Sequence, residues 1–249
     1  MEITAIIPAR YGSSRFPGKP LADIGGKPMI QRVYEQTGKA FANVFVATDD
    51  ERIASTVRNF GGHAVMTSAL HQSGTDRCNE AADIIQRDFG LKPDVIVNVQ
   101  GDEPFIDPEQ LTALASCFSD ENVQIATLVK KFGPGEDIFN ENSPKVVVSL
   151  KGFALYFSRT PVPFMRDFTR EKWQESHTYF KHIGLYAYRR EVLRSIAGLP
   201  QSSLEKCEKL EQLRWLENGF GIKVAETDKQ SWAIDTPEDL ENLKQQGLF

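Results

Sequence analysis

The feature that most constrains this chain is the alternation of short β-branched runs with segments of helical period. ITAII (3–7), NVFVAT (43–48) and DVIVNV (94–99) are too short for helices and carry no polar face, so they read as strands buried on both sides. Between them, PMIQRVYEQTGKAF places Met29, Ile30, Val33 and Tyr34 on one helical face. DDERIASTVRNF ends at the helix-stopping pair Gly61–Gly62, and TDRCNEAADIIQRDFG has a third helical pattern. HAVMT reads as a further short strand, and Asp107–Pro108 opens a helix running to Phe118. This rhythm predicts an α/β fold with a mostly parallel sheet.

After VQIATLV the rhythm loosens. KVVVSL, FALYFS, HIGLYAY, KVAET and SWAID read as strands, LEQLRWLEN as a helix, and Thr236 as the cap of a last helix begun by Pro237. Residues 160–178 mix prolines, charges and aromatics without a period. With no linker or internal repeat, residues 1–249 read as one domain, elaborated around 132–180. That elaboration is a candidate for dimer contacts.

The chemistry begins in the loop after the first strand. PARYGSSRFPGKPL sets Arg10, Arg15 and Lys19 among glycines and prolines, where open α/β sheets bind ligands. Glycines let backbone amides approach an anion, and guanidinium and ammonium groups suit several phosphate oxygens. The protein carries a net charge of −5, so this is local positive charge on an acidic surface, suited to a small anion rather than nucleic acid or an anionic membrane. A Walker loop has four residues between its glycines and a hydroxyl after its lysine; here five separate Gly12 from Gly18, and Pro20 follows Lys19. Any metal must therefore find its ligands elsewhere.

Two further stretches offer carboxylates. VIVNVQGDEP brings Gln100, Asp102 and Glu103 to the tip of an apolar strand, where a magnesium ion beside a phosphate needs anionic oxygen. SWAIDTPEDL sets Asp235 before a helix; it reads equally as a turn residue, and spacing alone does not bring it to Asp102. HQSGTDR (71–77), Arg159, His182 and the pair Glu211–Gln212 are weaker candidates, each with an ordinary structural reading. Cys78, Cys117 and Cys207 are scattered and fit a reducing cytoplasm. No apolar stretch reaches the ~20 residues of a membrane span, and no signal-peptide pattern is present, so a cytoplasmic protein is expected.

Taken together, PARYGSSRFPGKPL, HQSGTDR, VNVQGDEP, ALYFSR, KHIGLYAYR, LEQLR and IDTPEDL resemble the 3-deoxy-manno-octulosonate (Kdo) cytidylyltransferase family over essentially the whole chain. The resemblance implies a three-layer α/β/α sandwich of nucleotide-diphospho-sugar transferase type and a cytoplasmic homodimer. The implied reaction is CTP + Kdo → CMP-Kdo + pyrophosphate, for lipopolysaccharide biosynthesis. It implies that Arg10, Arg15 and Lys19 bind the CTP phosphates, and that Ala9, Ser73, Gly74 and Gln100 read cytosine. It further implies that Asp102 and Asp235 hold Mg2+, and that Arg159, His182, Tyr186, Glu211 and Gln212 line the sugar pocket. Arg10, Lys19, Asp102 and Asp235 are the expected catalytic set. The alternatives are a related acidic sugar such as 8-amino-Kdo, or a non-catalytic nucleotide-binding subunit.

Overall fold

The computed structural model describes residues 1–13, 15–230 and 232–249, and the chain divides into two compact units, Met1–Thr112 with Gln230–Phe249, and Ala113–Lys229. In the first unit the order is β1 (Ile3–Ala9), a small hairpin of β2 (Asp23–Ile24) and β3 (Lys27–Pro28), α1 (Met29–Gly38), β4 (Asn43–Thr48), α2 (Glu51–Asn59), β5 (His63–Met66), α3 (Gly74–Phe89) and β6 (Val95–Asn98). Helix α4 (Pro108–Ser116) carries the chain onward. Strands β6, β1, β4 and β5 lie side by side in that order, all parallel. Ile6, Ile7, Val46 and Val97 are fully buried within them, as the unbroken apolar runs require.

The strand order creates the place for a site. The chain steps outward from β1 to β4 to β5, then returns to lay β6 on the opposite edge of β1. Loops leaving the carboxyl ends of β1 and β6 therefore diverge there, which opens a crevice at the switch point.

The second unit contains β7 (Ile125–Lys131), β8 (Lys145–Val148), β9 (Ala154–Ser158), α5 (Trp173–Ser176), β10 (Phe180–Arg189), α6 (Arg190–Ala197), α7 (Ser203–Glu208), α8 (Gln212–Glu217) and β11 (Ile222–Glu226). Here β7 pairs with β11 in parallel and with β10 antiparallel, while β8 pairs antiparallel with both β10 and β9. The α/β class with a mixed, mostly parallel sheet holds, with the antiparallel pairings of the main strands in this unit. A bulge interrupts the β10–β7 register between Ile183 and Tyr186. The stretch at 132–180 contains the β8–β9 hairpin and a small apolar cluster of Ile138, Trp173 and Tyr179, packed with Phe132 and Met165.

The chain then returns to the first unit and ends in α9 (Pro237–Gln245). Thr236 caps it as the sequence predicts, its hydroxyl accepting from the Asp239 amide while Asp239 answers the Thr236 amide. The strand expected at SWAID is not formed. Ser231 lies outside the described residues, as does Ser14 of the opening loop, and residues 232–235 belong to no strand. Ile234 instead makes one backbone bond, its N–H donating to Asp102 O at 2.9 Å, and buries its side chain against Ile24, Met29 and Leu243. Packing and this backbone bond hold the segment, where a ladder was expected. The helices α6 and α7 also escaped the sequence reading. Leu193 and Ile196 form a buried face on α6, and Ser202 and Glu205 make a capping box at the start of α7.

Candidate active site

The loop after β1 folds on itself before any side chain reaches the site. The Gly18 N–H donates to Tyr11 O at 2.9 Å, and Gly18 takes φ +72°, a left-handed conformation that favours glycine. A Cβ there would lie 3.1 Å from the Tyr11 ring, which is itself covered by the Arg52 guanidinium at 3.4 Å. The chain leaves this turn in a single 3-10 turn, Lys19–Leu21, which aims Lys19 inward.

Lys19 joins the two aspartates that spacing alone left apart. Its Nζ donates to Asp102 Oδ2 at 2.8 Å and to Asp235 Oδ1 at 3.2 Å, and Arg15 Nη2 reaches the same Asp235 oxygen at 3.1 Å. Asp102 arrives from the loop after β6. The Ile234–Asp102 backbone bond and the packing of Ile234 and Leu243 hold Asp235 beside it.

The facing wall is the start of α3. Ser73 caps it by accepting from the Asp76 amide at 3.1 Å, and Gly74 follows. Tight backbone approach explains two glycines. A Cβ on Gly101 would come within 2.8 Å of the Pro8 carbonyl oxygen, and one on Gly74 within 3.3 Å of the Pro8 ring. Together these elements enclose a cavity of about 280 Å³. Ala9, Arg10, Arg15, Lys19, Ser73, Gly74, Gln100, Asp102 and Asp235 all line it.

The cavity is also lined by residues of HQSGTDR, a weaker candidate from the sequence, notably Arg77. Its guanidinium is buried, donating to Thr67 Oγ1 at 2.6 Å and Asp49 Oδ2 at 3.2 Å, so it ties the first turn of α3 to the ends of β5 and β4. His71 lines the cavity and meets Glu80 Oε2 at 2.5 Å, an oxygen that also accepts from the Ser68 amide. Burial raises the Glu80 carboxyl, but the Ser68 amide and His71 outweigh it and hold it below the usual carboxylate range. Both residues lie in or next to HQSGTDR, and that motif was the signal available for them.

The five expected sugar-pocket residues all lie in the second unit. His182 and Tyr186 flank the β10 bulge with ring centres 5.4 Å apart, and His182 Nε2 is 3.1 Å from Thr127 Oγ1. Burial pushes the His182 imidazole down to about 3, and burial, then Tyr188 and Glu211, push the Tyr186 phenol well above its ordinary value. Tyr186 packs edge-on against Trp215 of α8 at 5.0 Å. Glu211 Oε1 accepts from Arg214 at 2.9 Å, and the buried Gln212 side-chain amide nitrogen has no partner among the described residues. The Arg159 guanidinium is engaged with the main chain, donating to the carbonyls of Glu208 (2.6 Å), Glu141 (2.9 Å) and Lys209 (3.4 Å).

A family model described as Cytidylyltransferase matches residues 4–229. The 3-deoxy-manno-octulosonate cytidylyltransferase of Parabacteroides distasonis is 58% identical over 245 residues, covering 97% of this chain and 96% of the relative. The chain belongs to the 3-deoxy-manno-octulosonate cytidylyltransferase family. A solved structure described as CMP:2-keto-3-deoxy-manno-octonic acid synthetase complexed with CTP has a TM-score of 0.88 at 42% identity, covering 100% of both chains. A putative glucose-1-phosphate thymidylyltransferase from Bacillus anthracis superposes with a TM-score of 0.66 at 16% identity, covering 98% of this chain and 94% of that one, and shares the fold.

This cytidylyltransferase has a donor set that fits a hard cation. Among the described residues no group of three or more His, Cys, Asp and Glu side chains is arranged to hold a metal. One ammonium nevertheless reaches both Asp102 and Asp235, which shows two carboxylate oxygens within reach of one cation. Two anionic oxygens beside a triphosphate are what magnesium takes in phosphoryl-transfer sites, where it keeps waters and phosphate oxygens as its remaining ligands. Among the described residues no helix is long and apolar enough to cross a membrane.

Proposed function

We propose that this chain transfers the cytidylyl group of CTP to Kdo, giving CMP-Kdo and pyrophosphate for lipopolysaccharide assembly. The observation that carries the reading is the convergence of the cationic loop and both aspartates on one cavity walled by the start of α3. Three cations answer a triphosphate, and two carboxylates answer the metal that accompanies it. The family membership and the CTP named with its solved relative agree with this.

Arg10, Arg15 and Lys19 bind the phosphates, while Ala9, Ser73, Gly74 and Gln100 present backbone and amide groups to cytosine. Asp102 and Asp235 hold Mg2+, which when bound polarises phosphoryl oxygen and offsets charge on the triphosphate. The sugar's anomeric hydroxyl attacks the α-phosphorus in line: a new O–P bond forms, the bond to the bridging oxygen breaks, pyrophosphate carries the electron pair away, and the hydroxyl proton passes to solvent. The residues contribute positioning and electrostatic stabilisation, which are the main demands of phosphoryl transfer. His182, Tyr186, Glu211 and Gln212 bind the sugar, and Arg159 supports them by fastening the turn that precedes α8.

Residues 1–249 act as one nucleotidyltransferase domain in this reading, consistent with a family match that runs through both compact units. The working protein is a cytoplasmic homodimer, an assembly that light scattering tests directly. A pyrophosphate-release screen of the four ribonucleoside triphosphates against Kdo, 8-amino-Kdo and a sialic acid tests the reaction. Release with CTP and Kdo alone is expected. Preference for another sugar moves the substrate assignment, and calorimetric binding of CTP without release under any condition replaces the enzyme reading with a nucleotide-binding subunit.

A further inference from the structure

We propose that Lys19 is a movable counter-ion that couples metal binding at Asp102 and Asp235 to occupancy of the triphosphate site. This rests on those two residues being the metal ligands. The Lys19 ammonium holds Asp102 Oδ2 at 2.8 Å and Asp235 Oδ1 at 3.2 Å, and its side chain is 13% exposed. Arg15, the other cation on Asp235, is 64% exposed, so Lys19 is the better-buried counter-charge.

The two aspartates stay together independently of Lys19, because the Ile234 N–H donates to Asp102 O at 2.9 Å and Ile234 is fully buried. Like charges held so close repel, and the ammonium offsets that repulsion. A magnesium ion draws carboxylate oxygen to ~2.1 Å. It would draw that oxygen from the same two carboxylates that Lys19 holds, and an ammonium and a divalent cation on the same pair of carboxylates repel each other in turn. Metal binding is therefore opposed while the ammonium sits on both carboxylates, and is eased when Lys19 gives up at least one of its bonds.

The side chain can do so. Its four-carbon stem is flexible and its three donors are not tied to one geometry. What it needs is another anion, and the cavity that Lys19 lines together with Arg10 and Arg15 is the one assigned to the triphosphate. A phosphate that takes the ammonium lowers the cost of admitting the metal. By linkage, the metal raises affinity for the triphosphate by the same factor. Lys19 thus disfavours a metal ion bound alone and favours one bound with nucleotide.

The test is a Mn2+ titration of the full chain, read by electron paramagnetic resonance, with and without CTP and with no sugar present. Lys19→Met is expected to bind Mn2+ about tenfold or more tighter than wild type without nucleotide, and to lose most of the mutual enhancement between Mn2+ and CTP. Arg10→Met removes a cation from the same cavity but not from the two carboxylates, and should change metal affinity much less. Equal Mn2+ affinity in wild type and Lys19→Met overturns the proposal, as does equal tightening by both substitutions. Asp102→Asn separates the underlying assignment: unchanged Mn2+ binding in the presence of CTP removes the metal-ligand reading itself. If Lys19→Met does not fold, Lys19→Gln carries the same expectation. Thermal melting gives a second readout, in which Mn2+ must raise the melting temperature of the neutral variant more than that of wild type.

Discussion

At the scale of single residues, the site is built from a few charges that share partners, Lys19 and Arg15 meeting on Asp235. Lys19→Ala is expected to lower turnover at saturating CTP and magnesium by ~10²-fold, the usual cost of removing one donor aimed at transition-state charge. Near-wild-type turnover in a pyrophosphate assay would remove Lys19 from the catalytic set. His182 makes a pH prediction. Its folded pKa is pushed down to about 3 by burial, from an ordinary 6.5. Below about pH 6.5 the unfolded chain binds a proton that the folded chain refuses, so stability falls as pH falls through the window from 6.5 towards 3. Replacing the ring by His182→Gln should flatten the melting-temperature profile across that window; an unchanged slope would place the acid sensitivity elsewhere. The charged loop, Asp102 and the cap at Thr236 were legible at this scale, because each follows from local chemistry: a cationic turn, a carboxylate at a strand tip, a hydroxyl three residues before an acid. Arg77 was legible only as part of HQSGTDR; its partners Asp49 and Thr67 were not, because they lie near it only in the folded chain.

At the scale of elements, the site is built from four chain segments meeting at the ends of β1 and β6. Their closeness makes a clear contrast between two glycines. Gly101→Ala sets a Cβ 2.8 Å from the Pro8 carbonyl oxygen and should cost about 1–3 kcal/mol while raising KM for CTP. Gly12→Ala meets nothing within 4 Å among the described residues and carries no positive φ, so its stability should stay within about 0.5 kcal/mol of wild type. Urea denaturation of the two variants side by side checks both. Most strands and helices were legible because their apolar spacing is a local property. SWAID was misread because Trp232 and Ile234 are apolar for another reason. They pack against Ile24, Met29 and the hydrophobic residues of α9, and among the described residues 232–235 belong to no strand. The short helices α6 and α7 had readable signals, an amphipathic triplet and a capping box, but their six to eight residues fall below the length at which period alone is persuasive.

At the scale of the whole molecule, an acidic chain keeps a cationic cavity for an anionic substrate. On the proposal that Arg10, Arg15 and Lys19 bind the triphosphate, raising salt from about 0.05 to 0.5 M should raise KM for CTP several-fold, because screening weakens exposed charge pairs over this range. A KM indifferent to salt would argue against phosphate recognition by the exposed arginines. The sequence by itself determined the α/β class, the cationic character of the loop and, through motifs spanning the chain, the family. These follow from periodicity, residue chemistry and local order, which a linear string carries. Only the tertiary structure decided that Asp235, 133 residues beyond Asp102, shares an ammonium with it. That meeting depends on where Ile234 and Leu243 are buried, and burial is a property of the assembled core.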